Sequence, residues 1–209
     1  MLELSKKKED TIFNIGILEL AIALYPIIMG YGYGSFKLNF VFLLIIDIFL
    51  INKINKKELH KYSFGKIYQY MAFIVLHSAI WLLVMPSIHS YFVNSFIADI
   101  IYLISIVIIV PQVDFNKLKN AIYIVTIVCA VGMIYHVFMI KSGHSIQPIK
   151  LPFMPDMSSK ARLYSFLDRP TSFFWEPQSY ASFMLVPLFF LLREKRLICA
   201  FAIAATMIL

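Results

Sequence analysis

Arg169 and Glu176 are the residues of this chain best placed to do chemistry. They lie in one short stretch, Asp168-Arg-Pro-Thr-Ser-Phe-Phe-Trp-Glu-Pro-Gln-Ser-Tyr-Ala-Ser-Phe-Met-Leu, where a long polar loop enters an apolar run. An ionised side chain within hydrocarbon is costly, so charge held at the mouth of such a run is a functional candidate. Pro170 and Pro177 bias the residues before them, Arg169 and Glu176, toward extended backbone. Pro177 suits the first position of a helix, which makes Glu176 the N-cap, where free N–H groups and the helix dipole favour a carboxylate. Both charges are therefore expected in water at a membrane surface, beside a cavity under a helix bent by Pro187. A purely structural cap is the alternative. Phe173, Phe174 and Trp175 are expected in the interfacial aromatic belt.

The loop before this mouth, residues 141–172, is 32 residues long. Connections beyond about 12–15 residues without obvious structure are usually functional or disordered. It carries Lys141, Lys150, Lys160, Arg162 and Arg169 against Asp156 and Asp168, a net of +3. Two readings stand: a solvated loop facing anionic headgroups, or a site for an anionic ligand. Pro148, Pro152 and Pro155 stiffen its middle, and Phe153, Met154 and Met157 are able to dip into the interface.

The elements that must position these residues are membrane spans. The 209 residues are 60% hydrophobic and 15% charged, with a mean hydropathy of +0.78, against about 45–50% and about 25% in soluble domains. The apolar residues gather in blocks, at about 11–29, 38–51, 67–85, 91–110, 118–140 and 173–192. The blocks are long enough, or nearly so, to cross about 30 Å of hydrocarbon, and helix is the form that satisfies every backbone group there. The sequence thus predicts an all-α, polytopic helical bundle of six spans plus a truncated seventh, a single membrane domain over 1–209. The seventh run, 197–209, would cover only about 20 Å as helix, so a longer protein is expected to complete it. The 209 residues alone are expected to be inactive.

The 19 Lys and Arg residues lie between these runs or at their ends. Thirteen fall on one side: Lys6 to Lys8, five lysines between Lys53 and Lys66, Lys117, Lys119, Arg193, Lys195 and Arg196. Six fall on the other: Lys37 and the five of the long loop. The positive-inside bias places the N-terminus in the cytoplasm and the long loop outside, in a multi-pass protein of the bacterial cytoplasmic membrane. The charge of +7 is then mostly a topology signal. Without a basic soluble face, no nucleic-acid partner is expected. The first run is too long for a secretory h-region and reads as a retained anchor.

Other residues carry less. Glu19, Asp47 and Asp99 lie within or beside spans, as hydrogen-bonded structural groups or as parts of an ion path. His77 and His136 read as packed and satisfied. Cys129 and Cys199 read as small core hydrophobes. Tyr31-Gly-Tyr-Gly-Ser marks a tight turn. The histidines show no metal-ligand spacing, and no P-loop or dinucleotide fingerprint is present, so no cofactor or metal is expected.

The segment Arg169-Pro-Thr-Ser-Phe-Phe-Trp-Glu-Pro-Gln-Ser-Tyr-Ala-Ser-Phe resembles one in O-antigen and capsular or exopolysaccharide polymerases, and in the related O-antigen ligases. There an Arg, an aromatic residue and a Glu-Pro or Asn-Pro motif likewise follow an external loop and open a span. The Glu-Pro form is more similar to the polymerases. Ser172 and Gln178 depart from the pattern, which commonly has glycine at the first and Ser or Asn at the second. The resemblance implies a membrane glycosyltransferase that joins polyprenyl-diphosphate-linked repeat units into a surface polysaccharide at the outer face. Its partners would be the lipid-linked donor and acceptor, membrane lipids and a chain-length regulator. It further implies Arg169 on the leaving diphosphate and Glu176 as base, together the catalytic pair, with Lys160, Arg162 and Gln178 binding substrate. A polysaccharide ligase, a transporter or flippase, and a non-enzymatic membrane subunit are the alternatives.

The expected topology has a direct test. A cysteine replacing Ser145 should react with a membrane-impermeant thiol reagent in intact cells, and one replacing Ser63 only after permeabilisation. The reverse pattern would overturn the orientation.

Overall fold

The computed structural model of the chain describes residues 15–33, 36–51, 65–84, 89–144, 149–152, 169–174 and 176–208. Its described residues form seven α-helices: α1 (Ile17–Ile28), α2 (Leu38–Ile51), α3 (Gly65–Val84), α4 (His89–Ile109), α5 (Phe115–Lys141), α6 (Pro177–Arg193) and α7 (Leu197–Ile208). A 3-10 turn, Val110–Gln112, follows α4. The turn expected after α1 includes a small antiparallel pair, β1 (Gly32–Tyr33) and β2 (Phe36–Lys37), with Gly32 opposite Lys37 and Tyr33 opposite Phe36. The described helices follow the apolar runs to within a few residues, except that α6 begins at Pro177 and not at Phe173. Residues 1–14 fall outside the described residues, so α1 covers only part of the first run.

By length and composition, one described helix is able to cross a membrane: α5, with 27 residues and a hydropathy of 2.2. The helices Ile17–Ile28, Leu38–Ile51 and Leu197–Ile208 are apolar but shorter, as is the stretch Phe96–Gln112. α3 is long enough but diluted by Gln69, His77, Ser78 and two tyrosines.

The chain divides into two compact units, one from residues 40–113 and one from 1–39 with 114–209. In the first, buried Asp47 on α2 accepts a hydrogen bond from Ser105 Oγ on α4 at 2.6 Å. Gln112 donates to the carbonyls of Leu50 and Ile108 at 3.3 and 3.1 Å. On α3, Trp81 Nε1 donates to His77 Nε2 at 2.8 Å, one helical turn away.

The second unit is organised around α5. Asp114 caps this helix, accepting from the N–H groups of Asn116 and Lys117 at 2.9 and 3.3 Å, an arrangement that contributes about 1 kcal/mol. The N–H of Asp114 in turn donates to Glu19 Oε1 at 3.0 Å, so α1 and α5 start together and run parallel. A Cβ at Gly16 would overlap the Glu19 carboxylate, which explains the glycine one turn before it. At the same end Lys119 Nζ meets Glu194 Oε1 at 2.6 Å, which sets α6 antiparallel to α5. α7 turns back through Lys195, whose φ is 59°.

The packing of α5 inverts the soluble pattern. Its buried face includes Ala121, Thr126, Cys129, Gly132 and His136, while Ile127, Val131, Ile134 and Phe138 are each more than half exposed. α2 does the same, with Asn39 and Asp47 buried and Ile48 and Phe49 outside.

Lys119 beside Glu194 holds that carboxyl below its ordinary 4.5, with Arg196 adding to the effect. A depressed carboxyl contributes stability that is complete above the unfolded value and is lost as pH falls through the folded one. Thermal melts of the wild type in detergent should therefore lose stability below about pH 4.5 more steeply than those of Glu194→Gln. Parallel profiles would show that the pair contributes nothing.

Candidate functional site

The mouth forms where the chain returns to α5 after the long loop. Backbone N–H groups entering an apolar interior need acceptors. Here the N–H groups of Thr171 and Ser172 both donate to His136 Nδ1, at 3.2 and 3.1 Å, and Ser172 Oγ donates to the Cys129 carbonyl at 2.7 Å. The Phe174 N–H closes the turn on the Thr171 carbonyl at 3.0 Å. Thr171, Ser172, Phe174 and His136 are all essentially fully buried. Accepting at Nδ1 leaves the proton of a neutral imidazole on Nε2. His136 is thus a structural acceptor of the kind expected, although its partner, the turn that begins the candidate motif, was not evident in the sequence.

Ser172 has a φ of 55°, in the left-handed region that favours glycine. This is the position at which the resembling segment commonly carries glycine, and the Oγ bond to Cys129 offsets the strain here. The turn sits so close to α5 that a Cβ at Gly132 would lie 2.6 Å from Ser172 Oγ and 3.0 Å from the Phe173 ring. On its other side the Ile149 N–H donates to the Ser172 carbonyl at 3.2 Å. The Leu151 N–H donates to Tyr31 Oη at 2.7 Å. Tyr31 is buried, which raises its phenol pKa above the usual 10.

Phe174 is fully buried among Tyr180 and Phe183, with ring centroids 5.8 and 5.4 Å away. It belongs to the core, not to the aromatic belt expected for it. The close turn at 171–174 carries the ring inward. Cys199 also departs from expectation: Cys129 is buried, but Cys199 is exposed on α7.

Glu176 is the N-cap of α6 by position, with Pro177 following it and extended backbone at φ −152° and ψ 154°. Its carboxylate makes no capping bond and instead accepts from Ser179 Oγ at 3.2 Å. Half-buried, it lines a cavity of about 410 Å³ with Gln178, Ser179 and Ser182 along one edge and Pro26, Met29 and Phe183 among the apolar residues. Arg169 is exposed and lines a different, smaller cavity of about 160 Å³ with Pro170, Pro177 and Tyr180. The two charges therefore share the start of α6 but not one pocket, and Gln178 joins Glu176. Lys160, Arg162 and Asp168 lie outside the described residues. Among the described residues no cluster of three or more His, Cys, Asp or Glu gathers to hold a metal.

Gly132→Ala should lower thermal stability by about 1–3 kcal/mol, the usual cost of overpacking. In a Ser172→Gly background the closest clash is gone, so the same substitution should cost less. Strict additivity in this double-mutant cycle would mean that the turn does not sit against Gly132. Comparison with known proteins finds no family model, curated protein or solved structure that matches the chain, so its own residues are the ground for assigning a function.

Proposed function

We propose that this chain is part of an integral-membrane glycosyltransferase that polymerises lipid-linked oligosaccharide units into a surface polysaccharide. On this reading the described helices belong to a bundle of six spans and the start of a seventh, in the bacterial cytoplasmic membrane. The inverted faces of α2 and α5 support a lipid surround, because small and polar residues lie inside and bulky apolar ones outside. The parallel course of α1 and α5 also suits it, since three intervening spans return the chain to its starting side. The end of this unit carrying Lys119, Glu194 and Arg196 is then cytoplasmic, and the end carrying Arg169 and Glu176 is outer.

The observation that carries the reading is the cavity at Glu176. A carboxylate, an amide and two hydroxyls on one edge, with Met29 and Phe183 among its apolar residues, supply the hydrogen-bonding groups and apolar contact that a sugar ring calls for. The acceptor hydroxyl would attack the anomeric carbon of the donor, whose bond to the diphosphate oxygen breaks with its electron pair. Glu176 would take the hydroxyl proton. Arg169 would meet the charge growing on the diphosphate, with Lys160 and Arg162 adding to the positive field, and its planar fork suits two phosphate oxygens. Ligation in place of polymerisation would change the acceptor and leave these roles as they are.

The test uses the full-length gene in a polymerase-null strain, scored by polymer length. Arg169→Lys keeps charge but loses the fork, and should reduce turnover on the order of 10²–10³. Glu176→Gln keeps shape and removes basicity, and should nearly abolish polymer at normal protein level. Near-normal polymer from both variants at equal expression would overturn the assignment.

A further inference from the structure

The largest described cavity of this unit lies away from the mouth, at the other end. It is a groove of about 510 Å³ between α5 and α7, walled by Tyr123, Ile127 and Ile134 on one side and Cys199, Ala202 and Thr206 on the other. One end is charged, with Lys119, Glu194 and Arg196 at its rim. We infer that this groove holds one acyl chain of an anionic phospholipid of the cytoplasmic leaflet, with the headgroup phosphate on Arg196 and Lys119. The inference rests on the membrane reading above, but not on glycan transfer.

Charge complementarity selects the occupant. Two cations face one carboxylate at the rim, and Arg193 and Lys195 flank that carboxylate in the chain. Glu194 engages Arg196 Nε at 3.2 Å and Lys119 Nζ at 2.6 Å, so it fixes both without cancelling them. The Arg196 side chain remains 62% exposed, and a guanidinium has five N–H donors to offer. Arg196 also immediately precedes α7, where the helix dipole is positive.

Length agrees with charge. From Lys119 to Ile134 on α5 is about 22 Å of helix, comparable with the half-thickness of about 15 Å that one leaflet contributes once tilt and the headgroup zone are included. Beyond the rim the walls are mainly Ile, Val, Ala and the ring of Tyr123, surfaces that an acyl chain contacts without leaving polar groups unpaired. A strongly polar ligand would leave that depth unfilled.

Cys199 makes the groove testable, because it lines the wall while Cys129 is buried and serves as an internal control. The full-length protein is reconstituted in phosphatidylcholine vesicles with or without phosphatidylglycerol, and alkylation of Cys199 by N-ethylmaleimide is followed by peptide mass spectrometry. Phosphatidylglycerol should slow alkylation by about tenfold, two basic groups each contributing to the headgroup. Arg196→Gln should lose part of that protection, and Arg196→Gln with Lys119→Gln all of it. Equal rates in the two lipids would overturn the inference. So would protection that survives the double variant. A Cys199 unreactive in both lipids would mean that another segment or a second copy covers the groove, which overturns it as well. Failure of the protein to float with the vesicles would instead overturn the membrane reading itself, and the inference with it.

Discussion

Two amide groups that must not be left bare set the geometry of the outer end. Where the chain re-enters the apolar interior at Thr171 and Ser172, both N–H groups converge on the single lone pair of His136 Nδ1. An unsatisfied buried donor costs about 1–3 kcal/mol, and two would cost a large fraction of a domain's net stability. The imidazole must therefore stay unprotonated at Nδ1 for the turn to hold. Everything downstream is placed by that turn: Phe174 swings into the core, Pro177 begins α6, and Arg169 and Glu176 emerge on either side of the helix start.

The helix positions were legible because apolar runs and proline signals are local. α2 occupies the residues its run marked out, and Glu176 is extended before a Pro177 that opens α6. The chemistry of the mouth was less legible because it depends on contacts across long stretches of chain. His136 and Ser172 are 36 residues apart, and no periodicity on α5 distinguishes a histidine that accepts backbone bonds from one that merely packs. The carboxylate of Glu176 was expected to cap the helix and instead meets Ser179 Oγ, a choice of rotamer that no spacing rule encodes. Cys199 misled for a different reason. In an inverted helix, a small apolar residue says nothing about which face it takes.

The same inversion reassigns the polar residues. Glu19, Asp47 and Asn39 are buried, and each has a partner on another element: the N–H of Asp114, Ser105 Oγ and Tyr25 Oη. In water these residues would be exposed and the isoleucines opposite them would be core. With lipid outside, the polar groups become the attachments between helices, and their hydrogen bonds are worth roughly 1 kcal/mol each. Glu19 is the clearest case. By holding the N–H of the residue that caps α5, it fixes the relative height of α1 and α5. The depth of α5 then determines where Gly132 and His136 receive the turn at the opposite end.

That chain of placement separates the two charges of the mouth. Arg169 precedes the turn and Glu176 follows it, so Ser172 in its left-handed conformation directs them into different cavities on the two sides of Pro177. A reaction that used both would need a substrate reaching around the start of α6, with its anionic part on the Arg169 side and its hydroxyl-bearing part on the Glu176 side. A lipid-linked glycan joined to a second one has that extent, whereas a small ion does not. If transfer occurs here, the helix start stands between the leaving group and the base. This arrangement keeps the carboxylate away from the guanidinium that would otherwise neutralise it, and leaves Glu176 free to accept a proton.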